Sequence, residues 1–356
     1  MSILLYRPSL DVRSGAGQLI RMQAEGLAAA GETVRVGCER GALKFFLRTG
    51  CRARRYSRGA ANALAASGVL LVDHGLALSS AHLVFVHNLY SEALDFLPRP
   101  EWAEAAAQET QFFAQLDRDT PIVANSELVK NALQRRFDLG AARIGVHYPG
   151  YDSERFRASR TLALRREARD ALQLDQHAPL IGFVTSGDFQ KRGLDVFLDT
   201  AERVSSARPD CRFLVVGSKQ LPAVARQHDL VASGRVLHRP KTSQPELFMA
   251  ALDLFVYTAC FEEFGMVILE AQALGIPILT SRRVGASECL PPDYAAHLLE
   301  TPEPGLLADK ALALLTDTQT RVELAAAGLR NVVGYRRETY AAQSVAAIQA
   351  QKPRLK

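Results

Sequence analysis

The chain has 356 residues, of which 48% are hydrophobic and 23% are charged. That length suits two domains, each able to bury a core, and that composition excludes a mainly disordered, collagen-like or disulfide-scaffold protein. The formal charge of +5 suits an anionic substrate or membrane surface and is too small to argue for nucleic acid.

No uninterrupted apolar stretch reaches the roughly 20 residues needed to cross a bilayer. The first eight residues run straight into a strand-like segment and lack the basic and apolar regions of a signal peptide. The expectation is therefore a cytoplasmic protein. The five cysteines are scattered without a Cys-x-x-Cys pair, which fits reduced thiols and offers no structural zinc site.

In chain order, residues 3–6 form a short apolar run, followed by a turn-rich segment containing Gly15 and Gly17. Apolar residues at helical spacing fill 19–30, Gly31 stops them, and 33–36 reads as a strand. This βαβ pattern implies a parallel sheet covered by helices. Residues 69–72, 83–86 and 122–124 read as further buried strands, the last leading into a helix capped by Ser126. The second half repeats the grammar: strands at 180–184, 212–216, 254–257 and 278–280, and helices at 193–204, 246–251 and 267–274. Two such halves predict two doubly wound domains, with ligand at the carboxyl ends of the strands. The polar, Arg-rich stretch 151–178 reads as the junction. We place the domains at 1–160 and 161–335, with a helical tail at 336–356 that could pack back on the first.

The strongest chemical signal is Phe261-Glu262-Glu263-Phe264-Gly265-Met266-Val267-Ile268-Leu269-Glu270. Glu262 lies in the loop leaving a strand. Gly265 is expected to open the helix, so that an anion can approach free backbone N–H groups, with Glu270 inside the helix. A nucleotide sugar fits this layout: diphosphate at the helix start, ribose near Glu270, sugar hydroxyls near Glu262. A second loop, Gly187-Asp188-Phe189-Gln190-Lys191-Arg192-Gly193, puts two cations at a strand end, where they suit a diphosphate leaving group. Both are expected to be exposed, and the alternative role for them is a solvated helix-entry pair.

These residues resemble glycosyltransferase family 4, retaining enzymes of the two-Rossmann-domain (GT-B) fold with a deep inter-domain cleft. The likeness rests on Glu-x7-Glu with Phe-Gly inside and Glu270-Ala271-Gln272-Ala273-Leu274-Gly275-Ile276-Pro277-Ile278 after it. The 187–193 loop is similar to the family's diphosphate loop, usually Arg-x4-Lys-Gly-Leu-Asp, but Gly187 stands at the Arg and Arg192 at the Lys. Its form is more like lipopolysaccharide-core glucosyltransferases. Glu263 replaces a usual Gly beside the sugar site, which implies altered sugar recognition.

The resemblance implies transfer of a hexose from a nucleotide diphosphate sugar, UDP-linked by expectation, to a cell-envelope glycan or glycolipid. It implies Lys191, Arg192, Gly15, Gly17 and Gly265 at the diphosphate, and Glu262, Phe264 and Glu270 at sugar and ribose. Glu262 and His87 are the expected catalytic residues, with His74 competing for the place of His87. No cofactor and no divalent metal are expected. Asp117-Arg118-Asp119 reads as a solvated loop rather than a metal motif.

Residues 44–58 hold six basic residues and no acid, interleaved with Phe45, Phe46, Leu47 and Tyr56. Arg52, Arg54 and Arg55 there suit anionic lipid headgroups or a phosphorylated glycolipid, and so a peripheral site on the inner face of the membrane. Two other classes stay open. A nicotinamide-dependent oxidoreductase would need the third fingerprint glycine, where Ile20 stands, and an acidic ribose ligand. A non-catalytic sugar-nucleotide-binding subunit would use the same residues.

Overall fold

The computed structural model describes residues 2–11, 14–41 and 51–352. The chain divides into two compact units. The first comprises Met1–Gly150 and Arg337–Lys356, and the second Tyr151–Arg336. The chain thus leaves the first unit at Gly150, not at 160, and the expected separate tail is part of that unit.

The first unit is built on a seven-stranded sheet. Its strands are β1 (Ser2–Tyr6), β2 (Thr33–Cys38), β3 (Arg52–Arg55), β4 (Val69–Asp73), β5 (Leu83–Val86), β6 (Ile122–Ala124) and β7 (Ile144–Val146). All pair in parallel, in the order β3-β2-β1-β4-β5-β6-β7. β4 and β5 are buried at every position, as expected of parallel strands covered on both faces. One face packs Leu4, Leu71, Val84 and Leu133, and the other Leu5, Leu27, Val72 and Phe85. β3 is different: its arginines face out, and charge on an edge strand discourages pairing with another chain.

Helix α1 (Gly15–Ala29) starts four residues earlier than its apolar spacing suggests, because Ser14 caps it by accepting from the Gly17 N–H. α2 (Glu127–Phe137) is capped by Ser126, which accepts from the Val129 N–H.

The second unit has five parallel strands: β8 (Leu180–Val184), β9 (Arg212–Gly217), β10 (Val236–Pro240), β11 (Leu254–Val256) and β12 (Ile278–Leu279). Their order is β10-β9-β8-β11-β12, so the winding direction reverses between β8 and β11. Helices leaving these two strands go to opposite faces, which opens a crevice at their carboxyl ends.

The stretch read as a junction contains α3 (Ala158–Ala171). Its arginines made it look solvated; Arg160 and Arg166 are exposed, yet Arg165 and Arg169 point inward. Arg165 donates to the Ala251 and Leu252 carbonyls and to Asp253. Arg169, fully buried, donates to Ala251, Asp175, Ala178 and Asp253. The other helices used below are α4 (Leu194–Ala207), α5 (Pro245–Ala250), α6 (Val267–Ala273) and α7 (Arg337–Gln349).

α7 belongs to the first unit through Tyr340, buried beside Leu19 and Met22, whose hydroxyl accepts from Gln23 at 2.9 Å. Tyr340→Ala should therefore destabilise the first unit by about 3–5 kcal/mol, the cost of truncating a buried aromatic. The chain has one tryptophan, Trp102, in that unit. Its fluorescence melting midpoint should fall in the variant; an unchanged midpoint would contradict the assignment.

Candidate functional site

Two loops leave the strands that flank the reversal point of the second unit. The loop after β8 carries Lys191 and Arg192, and the loop after β11 carries Glu262 and Glu263. Backbone contacts hold them together. Gly193 adopts φ +71°, and a Cβ there would sit 2.0 Å from the Thr258 carbonyl oxygen, so only glycine permits the approach. The Thr258 hydroxyl donates to the Gly193 carbonyl at 2.6 Å, and the Cys260 N–H donates to the Lys191 carbonyl. On its other side, the Glu262 N–H donates to Arg283 and its carbonyl accepts from Gly285. The Gly285–Cys289 turn thereby braces the acidic loop.

The four charges form two pairs. Arg192 Nη1 lies 2.5 Å from Glu262 Oε2, with side chains 17% and 10% exposed. Lys191 Nζ donates to both Glu263 oxygens, at 2.9 and 2.8 Å, with side chains 12% and 3% exposed. The expectation of two exposed cations is therefore corrected: each is drawn inward by a carboxylate. Tyr257 adds its hydroxyl to Glu262 Oε2 at 3.4 Å. Burial raises the Glu262 carboxyl, against the pull of Arg192 and Lys191. Burial alone would lower Arg192, but Glu262, Tyr257 and Glu263 together push it above its ordinary value.

Gly187 explains how Arg192 fits. A Cβ at 187 would lie 3.3 Å from Arg192 Nη2, so the guanidinium occupies the space beside this glycine.

Gly265 does not open the helix. It sits at φ +91°, and α6 begins at Val267 with Met266 as its cap. A side chain at 265 would crowd Val284 and Glu262. Phe264 is buried, so its ring is not offered to a sugar, and its carbonyl accepts from Ala286. Glu270, in the first turn of α6, is partly buried. Desolvation pushes its carboxyl up to about 7, with Arg155 opposing and Glu246 and Asp152 adding to the rise. Arg155 is anchored on Glu246 at 2.7 Å.

The remaining expected residues lie in the first unit. Gly15 and Gly17 form the first turn of α1, not a loop, and the Gly17 N–H is taken by Ser14. His87 follows β5. Its Nε2 lies 2.9 Å from His74 Nδ1, and its Nδ1 is buried without a hydrogen-bond partner among the described residues. His74 is 1% exposed and stacks on Phe85, so of the two only the partly exposed His87 reaches the surface. Burial lowers both rings, His87 to about 3, so neither is charged at neutral pH.

Asp117 and Asp119 lie in an exposed turn. Among the described residues no group of three or more His, Cys, Asp or Glu is arranged to hold a metal ion. Arg52 and Arg54 are on the exposed edge β3; Arg54 lies over the Tyr56 ring, and Arg55 donates to the Glu39 and Gly41 carbonyls. Lys44, Phe45, Phe46, Leu47 and Arg48 lie outside the described residues.

Residues 165–330 match the family described as glycosyl transferases group 1. That matched segment lies within the second unit. D-inositol 3-phosphate glycosyltransferase of Corynebacterium urealyticum is 29% identical over 272 residues, 73% of this chain and 63% of that protein. The protein of the same name from a Mycobacterium species (strain KMS) is 32% identical over 192 residues, covering 51% and 41%. The matched stretches thus span between two fifths and just under two thirds of these curated relatives. In fold the chain is similar to Anabaena HepE in complex with UDP, with a TM-score of 0.80, 17% identity, and coverage of 98% of this chain and all of that one. It is also similar to WaaG, a glycosyltransferase involved in lipopolysaccharide biosynthesis (TM-score 0.79, 17% identity, 97% and 99% covered). The fold class is GT-B.

The charge cluster of the second unit includes residues that motif reading missed. Tyr257 read as the end of a buried strand, and Arg155 and Glu246 were hidden in a presumed junction and a short helix. Glu270 gives the second unit a measurable signature. Its raised carboxyl favours the neutral form, so its contribution to stability is full below about pH 4.5 and is lost as pH rises toward 7. Glu270→Gln should raise the melting temperature at pH 8 by a few degrees, at about 2–4 °C per kcal/mol relieved. The gain should shrink toward zero by pH 5. A lower melting temperature at pH 8 would mark Glu270 as a structural charge instead.

Proposed function

We propose that the protein is a retaining glycosyltransferase that takes a hexose from a nucleotide diphosphate sugar, UDP-linked, and passes it to a cell-envelope glycan or glycolipid such as lipopolysaccharide core. The observation that carries this reading is the paired cluster Lys191, Arg192, Glu262 and Glu263 at the reversal point of the second sheet. The bound UDP of the structurally similar HepE supports a uridine donor. In this reading Lys191 and Arg192 neutralise the leaving diphosphate, Glu262 holds hydroxyls of the transferred sugar, and Glu270 holds the ribose. The cations serve where other transferases use a metal, so the reaction needs no divalent ion.

A second acceptor reading, an inositol phosphate, is favoured by the names of the curated relatives. Release of nucleoside diphosphate from UDP-sugars, measured with each acceptor class, separates the two. Release with no acceptor of either class would leave both without support.

Within this reading the two carboxylates act at different stages. Glu270→Gln should mainly raise the donor KM, and Glu262→Gln should mainly lower kcat, because contacts that strengthen at the transition state act on the chemical step. Each loses a charged hydrogen bond worth about 1.5–3 kcal/mol, or roughly tenfold to a hundredfold. Steady-state kinetics in folded variants check this, and near-wild-type values for both would sink the proposed site.

We further propose a peripheral position on an anionic membrane, inside the cytoplasm. Among the described residues no helix is long and apolar enough to cross a membrane. The exposed Arg52 and Arg54 supply the contact. Changing both to Ser should weaken sedimentation with anionic vesicles, and salt should weaken the wild-type interaction. Arg55 is left in place because its two carbonyl bonds support β3. Equal binding to neutral and anionic vesicles would contradict the proposal.

A further inference from the structure

Glu263 stands where the family resemblance expects glycine, beside the sugar, yet its carboxylate is turned to Lys191. Both oxygens accept from Nζ, at 2.9 and 2.8 Å. The pair is almost out of water, with the glutamate 3% and the lysine 12% exposed. The adjacent cation is also occupied, with Arg192 Nη1 at 2.5 Å from Glu262. Two cations and two carboxylates sum to zero. A diphosphate entering this crevice adds at least two negative charges. Without a cation released to meet them, those charges would be buried uncompensated, at a cost of several kcal/mol each.

The two cations differ in how readily they can change partner. Arg192 is packed over Gly187 and fixed by its planar fork. Lys191 ends in a rotatable ammonium on a flexible stem, and it can exchange one anion for another with little rearrangement. We propose that Glu263 competes with the donor diphosphate for Lys191 and so sets the affinity of the protein for nucleoside diphosphates. Donor binding draws Lys191 off Glu263 and onto a phosphate oxygen, and Glu263 lowers affinity by the strength of the pair it gives up. The role assigned to Glu263 is therefore at the diphosphate, not at the sugar. It rests on the proposed donor site.

Calorimetric titration of UDP, GDP and ADP into wild type, Glu263→Gln, Lys191→Gln and the double variant tests it. Glutamine keeps the shape of the residue and an acceptor for the lysine. Glu263→Gln should tighten binding of the diphosphate that wild type binds by about tenfold or more, the worth of a freed charge-assisted hydrogen bond. The double variant should lose that gain. Unchanged or weaker binding by Glu263→Gln overturns the inference, as does a gain that persists without Lys191. If none of the three nucleotides binds wild type, the donor site itself fails. If wild type binds one of the nucleotides but that binding is unmoved by Glu263→Gln, only the competition fails. A crystal structure of wild type with the bound nucleotide gives a readout independent of any variant. Lys191 Nζ should lie on a phosphate oxygen and apart from Glu263, and an intact Lys191–Glu263 pair overturns the inference.

Discussion

Everything distinctive about the second unit depends on how closely the loop after β8 approaches the loop after β11. Gly193, with no Cβ, lets its backbone sit against Thr258, and the threonine hydroxyl closes the contact. That contact brings a pair of cations against a pair of carboxylates at the one place where the sheet reverses its winding. The charges cannot be understood singly. Each carboxylate would be costly to bury alone, and each is made tolerable by the cation opposite.

The strand framework was legible because parallel strands covered on both faces must be continuously apolar. Residues 180–184 and 83–86 show this directly and were placed without error. Elements whose burial is carried by charge were not legible. α3 turns Arg165 and Arg169 onto carbonyls and Asp253, and its narrow apolar stripe of Leu164, Ala168 and Leu172 is masked by the surrounding charge. β3 is an edge strand of arginines, and its sequence reads as a basic loop.

The site was legible in outline and misread in detail for the same reason. Spacing placed Glu262 and Glu270 at opposite ends of one short segment, and composition placed two cations in the facing loop. Which carboxylate meets which cation depends on side-chain directions across two loops some 70 residues apart in sequence. Nothing in the local pattern encodes that. Gly265 was misplaced because a glycine at positive φ before a helix looks, in sequence, like a glycine that begins it. The apparent loss of arginine at 187 is likewise resolved only in space, where the guanidinium of Arg192 fills the room that glycine leaves.

The central claim is that the donor diphosphate is held where these two loops meet. Hydrogen–deuterium exchange of the wild-type protein with and without the nucleoside diphosphate that it binds is the most direct measurement. The account predicts slower exchange confined to the backbone amides of residues 187–193 and 262–270, the segments that carry the two cations and the two carboxylates of the Glu-x7-Glu motif. Protection elsewhere, with these two segments unchanged, would contradict it.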